Sequence, residues 1–275
     1  MVDKQPAFMR PAPGSVRVEQ DTITFEPGEW YSPGVLNLIN LPNNLAQVQS
    51  PETAARFVET YGPLLYHYEG GRRRPATEAL RPLLAQAEAV RLALRLLEAM
   101  QDDNDERLAH LLNAAQVIRR DAPDFGPHSF AMSFLLPDGP LQTTVTLAAP
   151  YRTAGEIPWR ELAVTLVCTV ANQHTVQLYP GLVPSPGGLA FERQATGHVG
   201  LSLVQLVWYG VGEIALRGQE NVKQRRIRLC EECGTPFYAL DGRQRFCPPD
   251  PWTAESRCAG RRMQRLIRAR RKKES

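Results

Sequence analysis

The 275-residue chain predicts an α+β fold: a mainly helical N-terminal body with short β-hairpins, followed by a small cysteine-stapled unit. Three observations carry this. Apolar residues recur at helical spacing in several long stretches. Two segments alternate around Pro/Gly turns in the manner of hairpins. Four of the five cysteines fall in the last 46 residues, among closely spaced arginines.

In chain order, residues 1–20 read as a loose arm. "TITFEPGEWYSPGVLNLINL" offers a short strand, a turn and an apolar segment. "SPETAARFVETYG" is a helix with its own punctuation: Ser50 as N-cap, Pro51 at the first position, Glu52 in the first turn and Gly62 as C-cap. "GGRRRPATEALRPLLAQAEAVRLALRLLEAMQ" opens as a loop and becomes a long helix with Leu80, Leu83, Leu84, Ala87, Val90, Leu94 and Leu97 near helical spacing. Pro82 belongs in its first turn, where a missing N–H costs least. "DERLAHLLNAAQVI" is a further helix, with Asp105 at its start. "HSFAMSFLLPDGPLQTTVTLAAPYR" predicts a hairpin, "IPWRELAVTLVCTVANQH" a buried helix, and "VQLYPGLVPSPGGLAFERQA" a second strand pair. A long apolar helix over about 198–217 closes the body. Apolar content then falls and basic charge rises, so the division is an arm over 1–20, a body over 21–220 and a basic unit over 221–275.

The charge is divided as sharply. Residues 221–275 hold 15 Lys+Arg against 6 Asp+Glu, while residues 1–220 hold 17 against 23, so +9 faces −6 within a net +3. A basic tail on a weakly acidic body implies an anionic partner for the tail. The opening residues lack the apolar core of a secretory signal. The most apolar stretch, residues 199–216, contains Gln205 and Glu213 and suits a buried helix better than a membrane span. The expected setting is therefore a reducing cytoplasm with no membrane partner, where thiols meet metals rather than one another.

The cysteines are spaced C-x2-C-x13-C-x10-C, at Cys230, Cys233, Cys247 and Cys258. A C-x2-C pair can bind one ion through a tight knuckle, and Gly234 supplies the freedom for positive φ that such a knuckle needs. "YALDGRQR" would form a hairpin turning at Asp241-Gly242, with Phe237 and Phe246 making a miniature core. So short a tail buries little surface, and a metal would supply the missing stability. Two disulfides, a redox pair and four unrelated free thiols are the competing readings. The expectation is one structural Zn2+ per chain in a closed, treble-clef-like site. Cys168, within "LAVTLVCTV", reads as a core residue.

With these residues in view, "RLCEECGTPFYALDGRQRFCPPDPWTAESRCAGRRMQRLIRARRKK" resembles the CGNR-type zinc finger. "CGTPFYALDGRQRFC" matches its knuckle, hairpin and third cysteine, and "CAGRRMQR" stands where the family has "CGNR". The Asn of that motif is absent, and ten residues separate Cys247 from Cys258 where the family has about four. The resemblance implies a mainly helical N-terminal partner domain and a role as a stress-induced transcription regulator.

Beyond Cys258, "AGRRMQRLIRARRKK" places Arg257, Arg261, Arg265, Arg268 and Lys272 on one helical face. Arg262, Arg270 and Lys273 add to the charge, and Ala259, Met263, Leu266 and Ile267 are expected to pack back on the finger. A metal-anchored basic helix is suited to nucleic acid, double-stranded DNA first. The competing reading is a solvated face on a protein- or RNA-interaction module. "EGGRRRP" over 69–75 reads as a solvated turn. The five histidines are scattered and no nucleophile–base spacing occurs, so the expected role is non-enzymatic, with a small-molecule effector or self-association assigned to the body.

Overall fold

The computed structural model describes residues 8–31, 37–68, 76–102, 104–114, 117–121, 130–135, 142–147, 159–175, 181–185, 188–192, 201–220, 227–249 and 256–274. The architecture is mixed α+β with a helical body. Strands β1 (Phe8–Pro11), β2 (Arg17–Glu19), β3 (Thr22–Thr24) and β4 (Pro27–Tyr31) precede helices α1 (Asn40–Leu45) and α2 (Pro51–Tyr61). Then come β5 (His67–Tyr68), β6 (Thr77–Ala79), the long α3 (Leu80–Gln101) and α4 (Asp105–Ala114). Strands β7 (Val117–Asp121), β8 (Phe130–Leu135) and β9 (Gln142–Leu147) lead to α5 (Trp159–Thr175). The chain continues through β10 (Gly181–Ser185), β11 (Gly188–Glu192), β12 (Leu201–Ser202) and α6 (Leu203–Glu220). It ends with β13 (Ile227–Leu229), β14 (Pro236–Tyr238) and α7 (Arg257–Glu274). All strand pairs are antiparallel, in two- and three-stranded sheets.

Local chemistry accounts for several elements directly. Helix α2 begins at Ser50, whose hydroxyl accepts the Thr53 N–H, while the Thr53 hydroxyl accepts the Ser50 N–H; Gly62 closes the helix at φ 87°. Pro82 stands third in α3, as its missing donor requires. Helix α4 is capped by Asn104, whose Oδ1 accepts the Arg107 N–H, so Asp105 and Glu106 add charge to the first turn rather than the cap itself.

Four expectations change. Residues 8–20 are not an arm: Phe8 and Met9 are fully buried in β1, paired with β4. The helix expected over 105–118 ends at Ala114, and Val117–Asp121 joins β8 and β9 in a three-stranded sheet. The β-branched pair Val117-Ile118 suits that edge position better than a helix end. The other two changes concern the cysteine unit and are described with it. The hairpins over 128–152 and 176–195 are present as β8/β9 and β10/β11, and α5 is the buried helix expected, with Cys168 in its core face. The turn 136–141 and the loop 69–75 lie outside the described residues.

Helix α3 is the body's spine, packed by α1, α4, α5 and α6. Leu83, Val90, Leu94 and Trp208 lie in one continuous core. Two polar groups are sunk into this core and are satisfied there. Gln86 takes the Trp208 Nε1–H at 3.0 Å and meets His174 Nε2 at 3.4 Å, and the His174 ring stacks on Trp208 with centroids 5.5 Å apart. Burial pushes His174 down to about 4, so its imidazole is neutral in that stack. Arg91 turns back to the end of α1, where its Nε donates to the Ala46 carbonyl at 2.9 Å and its Nη2 to that of Val48. Helix α1 in turn presses on α6 at Gly210.

The β13/β14 ribbon is seated on the body. Ile227 and Tyr238 belong to the body's core cluster. The Ile227 N–H donates to Gln101 Oε1 at 3.1 Å, and the Tyr238 N–H to the buried Asn43 Oδ1 at 3.0 Å. These two bonds fix the cysteine unit against the ends of α1 and α3.

Candidate metal centre and basic helix

Cys230 follows β13 directly, and the chain turns through Cys233 into β14. The turn closes with Gly234 N–H to the Cys230 carbonyl at 2.9 Å and Cys230 N–H to the Thr235 carbonyl at 3.0 Å. Gly234 has φ 68°, the left-handed value a side chain would resist. The expected hairpin over 238–245 is not the paired element: the ribbon is β13 with β14, across the knuckle itself. Asp241-Gly242 still turns, with Gln244 N–H to the Asp241 carbonyl at 3.0 Å, and the returning strand gives one bond, Glu231 N–H to the Arg245 carbonyl at 3.1 Å. Tyr238 ends the ribbon opposite Ile227, with its side chain in the body's core and its N–H on Asn43, so that N–H is not available to a ladder toward residue 245.

Cys258 lies in the first turn of α7. Ser256 Oγ caps that helix by accepting the Ala259 N–H at 3.3 Å, and donates to the Cys247 carbonyl at 2.7 Å. One side chain thus ties the third cysteine to the fourth. Phe237, Ala239 and Phe246 pack around the sulfurs as the miniature core that was expected.

All four sulfurs lie within 4.8 Å of one another. Cys233 to Cys247 is 3.5 Å and Cys258 to Cys233 is 3.7 Å. Four sulfurs set about 2.3 Å from a central ion in a tetrahedron lie about 3.8 Å apart, so the cage has the size of a tetrahedral thiolate site. Disulfides need sulfurs about 2.05 Å apart, and all five cysteines are free thiols. The protons are correspondingly unsettled. Cys230 is driven well below the usual thiol range, first by the Cys233 thiol and then by Cys247 and Cys258 donating to it; Cys247 is driven far above by the same crowding. One thiolate forms readily and the last resists, because four negative charges at this spacing repel without a cation between them. The donor set, spacing and burial fit one metal ion.

Helix α7 projects from this cage. Arg261 Nη2 donates to Cys258 Sγ at 3.3 Å, and Arg265 pairs with Glu232 of the knuckle. Arg257, Arg261, Arg262, Arg265, Arg268, Arg270 and Lys272 are all exposed. Among the described residues Arg262, Arg268, Arg270 and Lys272 carry no ion pair. The backbone of Lys273 lies in α7, and its side chain is outside the described residues. The expected packing of Met263, Leu266 and Ile267 on the finger does not occur: they are 60%, 45% and 44% exposed.

A cleft of about 410 Å³ opens beside the cage, between α2 and the start of α7. Its lining includes Arg56, Arg257, Arg261 and Thr235. Sequence reading missed it, because Arg56 lies about 200 positions from Arg257 and no local pattern joins them.

No family model, curated protein or solved structure matches the chain. Among the described residues no helix is long and apolar enough to cross a membrane.

Proposed function

We propose that the four cysteines hold one structural zinc ion and that α7 binds nucleic acid, double-stranded DNA first, as the reading head of a cytoplasmic transcription regulator. Soft thiolates in a closed tetrahedron suit zinc and leave no position for a reactive water. The ion's contribution is to fix the start of α7 against the body; Ser256 and the Gly234 knuckle set the direction in which the helix leaves. The observation that carries the reading is the exposed charge of Arg262, Arg268, Arg270 and Lys272, without an ion pair among the described residues, on a helix anchored at one end. The resemblance of the finger to the CGNR type points the same way. The body then serves as a sensor or a self-association domain rather than a catalyst.

A second reading, a protein- or RNA-interaction module, draws on the exposed Met263, Leu266 and Ile267, which lie on the helix face away from the arginine row. One experiment separates the two. Arg261 and Arg265 touch Cys258 and Glu232, so the cleaner variant changes Arg262, Arg268 and Arg270 together to Gln. Metal content and folding are expected to stay as in the parent. Affinity for all duplexes is expected to fall alike, and the slope of log affinity against log salt to flatten by up to about three units, roughly 0.9 for each lost phosphate contact. Unchanged duplex affinity with an unchanged slope refutes nucleic-acid binding by α7; RNA bound in preference to duplex DNA selects the second reading.

A further inference from the structure

The cleft between α2 and the root of α7 has a chemistry of its own. Its described lining brings together three guanidinium groups: Arg56 from α2, and Arg257 and Arg261 from α7. Among the described residues no Asp or Glu lines it. It is not the void of the metal site, because Cys233 alone of the four cysteines reaches it. Thr235 also lines it, 2% exposed, with its hydroxyl engaged by the Cys233 thiol, which it lowers. The rim carries the side-chain amide of Gln49, which is exposed, and the first turn of α2, whose dipole is positive at that end.

We propose that this cleft binds a small organic oxyanion, a phosphorylated or carboxylated metabolite, across the junction of body and finger. The charge balance favours an anion even beside the metal. A divalent ion on four thiolates leaves the cage with a charge of about −2, and Arg261 already faces it through Cys258. Arg56 is then the group that meets the ligand, with Arg257 lining the same cleft, and forked guanidinium donors match phosphate and carboxylate oxygens. A volume of about 410 Å³ admits a ligand the size of a mononucleotide or a sugar phosphate. The inference gives the sensor role of the body a place and a ligand class, and rests on that part of the proposed function alone. Because Arg257 and Arg261 also begin the basic row of α7, a bound anion would occupy the end of that row nearest the body.

The test uses the full metal-loaded chain without nucleic acid, so its outcome is independent of α7 binding DNA. Inorganic phosphate, adenosine monophosphate and malate are titrated separately by calorimetry at low salt. Saturable binding of at least one, with a Kd below about 1 mM, is expected. Arg56→Gln is expected to weaken it by about tenfold or more, and Arg56→Lys by less, since charge is kept while the fork is lost. Arg56 lies outside both the cage and the basic row, so metal content and melting should match the parent in both variants. Arg17→Gln, exposed on β2 and outside the cleft lining, should leave the affinity unchanged. Phosphate-bearing probes winning over malate assign the ligand to phosphates, and the reverse to carboxylates. The proposal is overturned if none of the three saturates, if Arg56→Gln binds as tightly as the parent, or if Arg17→Gln loses as much.

Discussion

Gly210 in α6 faces the backbone of the segment leading into α1. A Cβ built there would stand 2.1 Å from the Leu38 carbonyl oxygen and 2.9 Å from two ring carbons of Pro42. A carbon needs about 3.3 Å from a carbonyl oxygen, so Gly210→Ala forces α6 and α1 apart by about 1 Å or more. Two effects compete. Alanine is the better helix former by about 1 kcal/mol, which alone would stabilise the variant. Against it stands overpacking at a contact with backbone, which cannot rotate away and costs about 1–3 kcal/mol or more. The second is expected to win, with a net loss of about 1–2 kcal/mol after the helix gain. Urea unfolding followed by circular dichroism, with metal bound in both proteins, measures it. The midpoint should fall with little change in slope. The loss should reach the finger too, because α1 carries Asn43, the acceptor for Tyr238, so a chelator should strip metal faster from the variant. An alanine variant as stable as the parent, or more so, refutes the close α1–α6 contact and the bridge it makes to the finger.

Metal analysis of protein purified without chelator should find one zinc per chain, and Cys247→Ser should abolish it, since that thiol is one of the four that enclose the site; parent protein with no metal and five freely titrating thiols would contradict the centre. Stability should also fall with acid. Burial holds His174 down to about 4, whereas in the unfolded chain it protonates near 6.5. Its contribution is therefore complete above about pH 6.5 and is lost as pH falls toward 4, by up to about 3 kcal/mol. His174→Gln should flatten that part of the profile, and a curve parallel to the parent's would show that His174 is not the group responsible.

Much of this protein was legible in one dimension because its signals are local. The caps of α2, the position of Pro82, the apolar spacing of α3 and the C-x2-C-G knuckle each act within a few residues, where backbone sterics and hydrogen bonding decide. Cysteine count and spacing likewise announced a cage before its size could be checked. The misreadings all turn on long-range partners. Residues 8–20 looked like an arm because the face that buries Phe8 and Met9 is formed elsewhere in the chain. The hairpin over 238–245 was a sound local reading, but Tyr238 is held by Asn43, 195 positions earlier, and the ribbon forms across the knuckle instead. Helix α7 is amphipathic in sequence, which suggested a partner for its apolar side; where that side faces depends on the angle at which Ser256 and Cys258 launch the helix. The sequence alone determined most of the helices, the clustering of four cysteines and the basic charge. Only the tertiary structure decided which arginines are committed to the cage, which stay exposed, and that Arg56 meets Arg257 across a cleft, because contacts between distant segments depend on how whole faces pack.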